Sequence, residues 1–272
     1  MYKAITTLLI LPIFYFIDVK NYPKNIVSIH AHPDDTEAFC SGALTLLKSK
    51  GYDITIVSMT AGGMGGINST EKETISLRIN EAEKAARYLG AKYICLEQRD
   101  GFLYDNEKIR LKTIDLIRRE KTGIVFTHLP FDYHIDHRTT SQIVEAAAML
   151  ATLPNVPSSE TPLAITPLLY HTAPLELTDP LGKKIPTPHF FVDITEVIDQ
   201  KMEMLSYHQT QIELMSVMFK MDDFFNEMKK YSQELGKLAE VPYAECYWQH
   251  LGKGFQKDPI IQEVLDPYIV SV

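Results

Sequence analysis

The chain has 272 residues, 45% of them apolar and 23% charged, and its 27 Lys and Arg against 35 Asp and Glu leave a net charge of −8. That mix is ordinary for a globular protein and excludes a disordered chain, a collagen and a coiled coil. The acidic balance argues against nucleic acid as a partner and against a polybasic membrane patch, but leaves a small neutral substrate open. Cys40, Cys95 and Cys246 form no C-x-x-C pair and read as buried thiols.

Residues 4–17 (AITTLLILPIFYFI) are uncharged and mostly apolar. The run is shorter than the roughly 20 residues of a membrane span. It matches the apolar stretch of a secretory signal, but no small-x-small cleavage site follows. Two expectations stand side by side: export or membrane association through residues 4–17, or a cytoplasmic protein with a packed N-terminal extension. Residues 1–24 are this extension, and residues 25–272 form one domain.

Along that domain, residues 25–31 (NIVSIHA) read as a buried strand and residues 36–50 as a helix stopped by Gly51. Residues 53–60 (DITIVSMT) are a second strand, followed by a Gly-rich loop over residues 61–70. Residues 71–89 form a helix, with Ile75, Ile79, Ala82, Ala86 and Leu89 on one face. A short strand at residues 92–96, a helix at 107–119, a strand at 123–128 and a helix at 137–150 come next. Residues 168–172 and 190–194 are further strands, and Thr195 starts a long helical run through Leu235. Strands alternating with helices predict βαβ units. The fold class is α/β: a Rossmann-like, mostly parallel sheet with helices on both faces, in a single domain. Ligands of such sheets bind beyond the carboxyl ends of the strands, so the loops after Ala31, Thr60, Leu96 and His128 can converge.

Two polar clusters lie on those loops. The first is His30-Ala31-His32-Pro33-Asp34-Asp35-Thr36-Glu37, where strand one meets helix one. Adjacent carboxylates beside a histidine are costly at a buried loop unless a cation or hydrogen bonds compensate them. A helix N-cap explains one of these residues, not the set. The second cluster is Asp132-Tyr133-His134-Ile135-Asp136-His137, after strand four. Together they supply a metal site of two histidines and one carboxylate: His32 and Asp35 face one point and His137 closes the set. Imidazole and carboxylate suit Zn²⁺, and three protein ligands leave a position for water. Asp34 is then free as general base. His134 serves as acid or oxyanion stabiliser, with Asp136 orienting a ring. The same donors describe Fe²⁺ oxygenases, but that chemistry is usually built on an all-β barrel, and the α/β context favours hydrolysis. Gly62-Gly63-Met64-Gly65-Gly66 lacks the G-x-G-x-x-G spacing and reads as a mobile loop beside the site.

At these residues the sequence resembles the PIG-L/LmbE-type zinc-dependent N-acetylglucosamine deacetylases. The A-H-P-D-D-x-E signature stands as Ala31 to Glu37, and H-x-D-H as His134 to His137, with Ile135 where proline is usual. Arg78-x-x-Glu81, Asp100-Gly101, Val192-Asp193-Ile194-Thr195, Lys201, His208-Gln209-Thr210-Gln211 and Tyr243-Ala244-Glu245 resemble further stretches of the family. The resemblance implies His32, Asp35 and His137 as Zn²⁺ ligands, with Fe²⁺ able to replace zinc. It implies Asp34 as base, His134 as acid or oxyanion stabiliser and Asp136 as its orienter. It adds Arg78 and Asp100 as contacts to sugar hydroxyls. The plain alternatives are an Arg78–Glu81 pair on an exposed helix face and a turn-forming Asp100. The expected activity is removal of acetyl from an N-acetylated amino sugar, a small-molecule substrate, by a chain that could form a homo-oligomer. The alternatives are a zinc amidase for another sugar-linked amide and a non-catalytic sugar-binding module.

Overall fold

Apolar residues spaced two apart on the first strands decide which helices cover each face of the sheet. In the computed structural model, which describes residues 22–221 and 223–271, the elements follow one another as β1 (Asn25–His30), α1 (Asp35–Phe39), α2 (Ser41–Ser49), β2 (Asp53–Thr60), α3 (Glu71–Leu89) and β3 (Lys92–Gln98). Then come α4 (Glu107–Arg119), β4 (Ile124–His128), α5 (Ile135–Leu150), β5 (Leu168–Thr172), β6 (Phe190–Asp193), α6 (Ile198–Ser206), α7 (Gln209–Phe219) and α8 (Phe224–Leu238). The chain closes with β7 (Ala244–Gln249), α9 (Ile260–Val264) and β8 (Ile269–Ser271).

The strand order is β3-β2-β1-β4-β5-β7-β6-β8. The first five strands pair in parallel, and β7, β6 and β8 add an antiparallel edge. This bears out the expected Rossmann-like α/β fold. Ile26, Ile54, Ile56 and Phe126 point to the face covered by Leu44 and Leu47 of α2, Ala86 and Leu89 of α3 and Met204 of α6. Val27, Ile29, Val57, Met59 and Val125 point to the other face, under Ile109, Ile114 and Ile117 of α4 and Val144 and Ala147 of α5. Each such side chain taken fully out of water contributes about 1.5–3 kcal/mol.

Helix α3 runs over the expected residues because both ends are written locally. Thr70 and Glu73 form a reciprocal capping box, and Gly90 closes the helix at φ 70°. Two other expectations need correction. The helix over residues 36–50 is broken at Cys40 (φ −147°, ψ 6°) into α1 and α2. The break is set by a distant carboxylate: Glu245 on β7 accepts from the backbone N–H of Gly42 at 2.9 Å and of Ala43 at 2.8 Å. Lys201 of α6, fully buried, donates to Glu245 at 2.7 Å and to the Ala38 carbonyl at the end of α1 at 2.7 Å. Tyr247 completes the set at 2.7 Å. A Cβ at Gly42 would sit 2.6 Å from the Ile194 side chain, so the close approach requires glycine. The long run from Thr195 is likewise split, at Tyr207–His208 and at Lys220 (φ 58°). Glu81 of α3 holds the start of α7 through the Thr210 N–H at 3.1 Å and hydroxyl at 2.7 Å.

The three cysteines are free, with Cys40 and Cys246 buried and Cys95 half-buried. The expectation of membrane association is corrected on one point: no helix among the described residues is long and apolar enough to cross a membrane. Residues 4–17 lie outside the described residues, and Tyr22 is already part of the core.

The Lys201–Glu245 pair yields a stability prediction. Lys201→Met leaves a buried carboxylate without its cation and is expected to cost about 3–5 kcal/mol in urea unfolding. The double variant Lys201→Met with Glu245→Gln should cost less than that single change, because the unpaired charge is gone.

Candidate metal centre

The site is built where β1 ends. Asp34 adopts φ 97°, ψ −26°, a left-handed conformation uncommon for a non-glycine residue and costing on the order of 1–3 kcal/mol. This turn separates two neighbouring carboxylates. Asp35 opens α1 and turns back on the loop, where one oxygen accepts the His32 N–H at 2.7 Å. Asp34 is 9% exposed and makes no side-chain cap to the helix it precedes.

The Asp35 carboxylate lies between two histidines. One oxygen is 3.3 Å from His32 Nδ1 and the other is 3.4 Å from His137 Nε2. Each ring turns its second nitrogen to another carboxylate. His32 Nε2 lies 3.3 Å from Asp100 and 3.6 Å from Asp136, and His137 Nδ1 lies 3.0 Å from Asp132. A carboxylate behind each imidazole is the arrangement that fixes and strengthens metal-binding histidines. The expected ligands are thus neighbours, although the tightest donor groups share them out differently. Donor atoms within 4.8 Å of one another come from His32, His134 and His137, from Asp35, His128 and His137, and from His32, Asp100 and Asp136. The donor chemistry, nitrogen and carboxylate oxygen only, fits Zn²⁺ or Fe²⁺.

His128 and Asp132 complete the cluster. His128 ends β4 on the same face as His30, one strand from β1, and stacks on His137 with ring centres 3.8 Å apart. Its Nε2 accepts the Ala31 N–H at 2.9 Å, so that lone pair is already used and His128 supports the loop. His128 belongs to neither sequence cluster, although its place at the carboxyl end of β4 is a signal for it. His134 caps α5: its Nδ1 accepts the Asp136 N–H at 3.2 Å, so the neutral ring carries its proton on Nε2. Asp136 therefore orients His134 through its backbone. The Asp136 carboxylate instead accepts the Gly101 N–H at 2.8 Å and faces His32.

The two residues expected at sugar hydroxyls have the following partners. Asp100 is occupied by His32 and by the Met64 N–H at 3.0 Å. Arg78 is buried beneath the glycine loop rather than paired with Glu81, and its one hydrogen bond goes to the Gly65 carbonyl at 3.4 Å. Cβ atoms at Gly62 and Gly65 would each lie 2.5 Å from its guanidinium, which explains the glycines over it. His208 lies 3.6 Å from Glu37, behind α1.

Charge balance sorts these groups. Burial raises Asp34, and the Asp35 charge beside it adds to this, up to about 7. Burial would also raise Asp35, but His137 and His128 outweigh it and hold the acid well below its ordinary value. Burial pulls His137 down, yet Asp35 and Asp132 carry it up to about 9. His32 is likewise depressed by burial and then lifted well above the usual range by Asp100, Asp136 and Asp35. Two neighbouring carboxylates thus have separated tendencies, the pattern of a base beside a ligand.

Comparison with known proteins fits this geometry. The sequence pattern of the family described as PIG-L, GlcNAc-PI de-N-acetylase, matches residues 27–148. The uncharacterized deacetylase YaiS of Escherichia coli is 30% identical over 156 residues, 52% of this chain and 76% of that protein. The chain belongs to the PIG-L/LmbE family. The diacetylchitobiose deacetylase of Thermococcus kodakarensis is 28% identical over 197 residues, 70% of this chain and 71% of that one. The solved structure of the conserved protein TT1542 from Thermus thermophilus is 28% identical, covers 86% of this chain and 97% of its own, and superposes with a TM-score of 0.68. Metal-dependent deacetylation is typical of the PIG-L/LmbE family, and the metal-binding residue types of such a centre are all present here.

Two buried histidines make acid stability testable. Burial pushes His30 down to about 3 and His171 down to about 4. Both stay neutral in the folded protein while the unfolded chain takes up protons near pH 6.5. Their contribution to stability should therefore fall as pH drops below 6.5 and level off only below the folded pKa values. The loss at pH 5 is about 2 kcal/mol per histidine. Asp34, raised to about 7, works the other way over the same range, so the comparison of urea midpoints at pH 7 and pH 5 between wild type and His171→Gln isolates one histidine's share.

Proposed function

We propose that this chain is a zinc-dependent deacetylase that hydrolyses the amide of an N-acetylated amino sugar. The observation that carries the reading is the Asp35 carboxylate flanked by His32 Nδ1 and His137 Nε2, each ring backed by a further carboxylate. His32, Asp35 and His137 would hold the ion, and iron could occupy the same donors. When bound, the ion would polarise the acetyl carbonyl and acidify a water at neutral pH.

The chain's own residues divide the remaining work. Asp34, raised by burial and by Asp35, takes a proton from the attacking water as the new C–O bond forms. His134, neutral with its proton on Nε2, donates a hydrogen bond from Nε2 to the developing oxyanion, and the proton that Asp34 took passes to the nitrogen as the C–N bond breaks. The products are acetate and the free amine; the proton of the new carboxylic acid passes to solvent, and both Asp34 and His134 return to their starting states. Asp100 and Asp136 hold the His32 ring, and the Asp136 N–H sets the His134 tautomer. Arg78, buried beside the glycine loop, is the nearest guanidinium to Asp34 and the one available to a sugar hydroxyl.

Metal analysis of the purified protein, with acetate release from N-acetylglucosamine derivatives measured with and without chelator, tests the whole reading. Expected are about one zinc per chain and chelator-sensitive release restored by zinc. Asparagine tolerates a left-handed backbone, so Asp34→Asn keeps the turn, and should keep the metal while losing about 10²–10⁴ in kcat. His32→Ala should lose the metal itself. Metal loss in Asp34→Asn with its residual rate unchanged would reverse the two aspartates' roles. The rate should also fall on the acid side as Asp34 takes up a proton. That limb lies below about 7, because a cation beside Asp35 favours the charged base.

A further inference from the structure

Six of the sixteen most exposed large apolar side chains among the described residues lie on three loops at one edge of the sheet or, for Ile135, at the first residue of α5 beside them. They are Met64 after β2, Phe102 and Tyr104 after β3, and Phe131, Tyr133 and Ile135 after β4. Single exposed apolar residues need no explanation, but a concentration beside a site does. These loops are tied to the metal centre through their backbones. The Met64 N–H bonds Asp100, and the Gly101 N–H, next to Phe102, bonds Asp136, next to Ile135. Tyr133 reaches furthest in, with its ring centre 5.7 Å from that of His137. Phe102 is held by Arg99, whose guanidinium lies 4.8 Å from the ring centre, and yet stays 50% exposed.

Charge narrows the occupant. Three arginines on and beside these loops are already engaged, and Arg78 is buried beneath the glycine loop, on the side of Asp34. Arg99 pairs with Glu71 at 3.2 Å, Arg110 pairs with Asp105, and Arg138 donates to the carbonyls of Asp132 at 2.7 Å and Tyr133 at 2.8 Å. An anionic group on the rim would meet Asp100 and Asp136 with Arg99, Arg110 and Arg138 already engaged and Arg78 buried below. We propose that the rim of Met64, Phe102, Tyr133 and Ile135 is a subsite for the part of the substrate beyond the amino sugar, and that this part is a neutral, apolar aryl or alkyl aglycone. The inference rests on the deacetylase reading above and names the substrate class of that same site.

The test compares methyl and phenyl β-glycosides of N-acetylglucosamine, with N,N′-diacetylchitobiose as a third substrate. The zinc-loaded wild type should favour the phenyl over the methyl glycoside by about tenfold or more in kcat/KM. Phe102→Ala and Ile135→Ser should bring that ratio towards one, while Leu238→Ser, an exposed residue at the end of α8, should keep it. A ratio makes the readout independent of how much of each variant folds. Calorimetry on the metal-free protein should show the same preference in Kd. Equal Kd values, a preference that survives both rim substitutions, or chitobiose as the better substrate would overturn the subsite. A phenyl preference in Kd without acetate release from the zinc-loaded protein would instead sink the deacetylase reading and leave the apolar subsite standing.

Discussion

The Asp35 carboxylate is the constraint around which the site is arranged. It is almost wholly buried, and it is held in charged form by His137 in the first turn of α5 and by the His32 N–H. Burying such a charge alone would be prohibitive, so the surrounding residues follow from it. His137 must be close enough to compensate, which requires α5 to begin immediately after the loop from β4. His32 must face inward, which requires the chain to turn sharply at Pro33 and Asp34. The left-handed Asp34 backbone is the local cost of that turn. The same turn keeps the second carboxylate out of the first one's field of partners, so that one acid is stabilised as an anion and its neighbour is not.

The sheet supplies the convergence and the helices supply the aim. Parallel strands β2, β1 and β4 end side by side, so loops distant in sequence share one edge. Strand β1 delivers His32, β3 delivers Asp100, and β4 delivers His128 and the Asp132–His137 segment. Backbone N–H groups then orient the side chains: Ala31 to His128, Gly101 to Asp136 and Asp136 to His134. Function thus depends less on any single residue type than on which nitrogen of each ring is already engaged.

Much of this was legible in the sequence where the signal was local. Helix α3 and strand β5 run over the residues that periodicity and caps indicate, and the histidine–aspartate clusters fall on the expected edge. What escaped was set from a distance. No feature near Cys40 announces a helix break, because the carboxylate that caps α2 comes from β7. Strand β7 itself is buried at all six positions, so its residues show no alternation to betray it. The alternative of a surface Arg78–Glu81 pair fails because the glycine loop that covers Arg78 is folded over by tertiary contact, which the helix pattern does not show. The site was legible as a set of residue types. Which ring nitrogen faces which carboxylate was not, because spacing along the chain carries no rotamer.

The cap on α2 links residues 203 positions apart. A chain made from its N-terminus therefore carries His32, Asp35 and His137 well before Glu245 exists to settle the helix beside them. The parallel core can assemble early, yet the bend that seats the first cluster waits for the last strands to dock. Contacts of such long sequence separation slow folding, since loop closure must precede the reward. The order of synthesis thus makes the C-terminal third the part that finishes the N-terminal site.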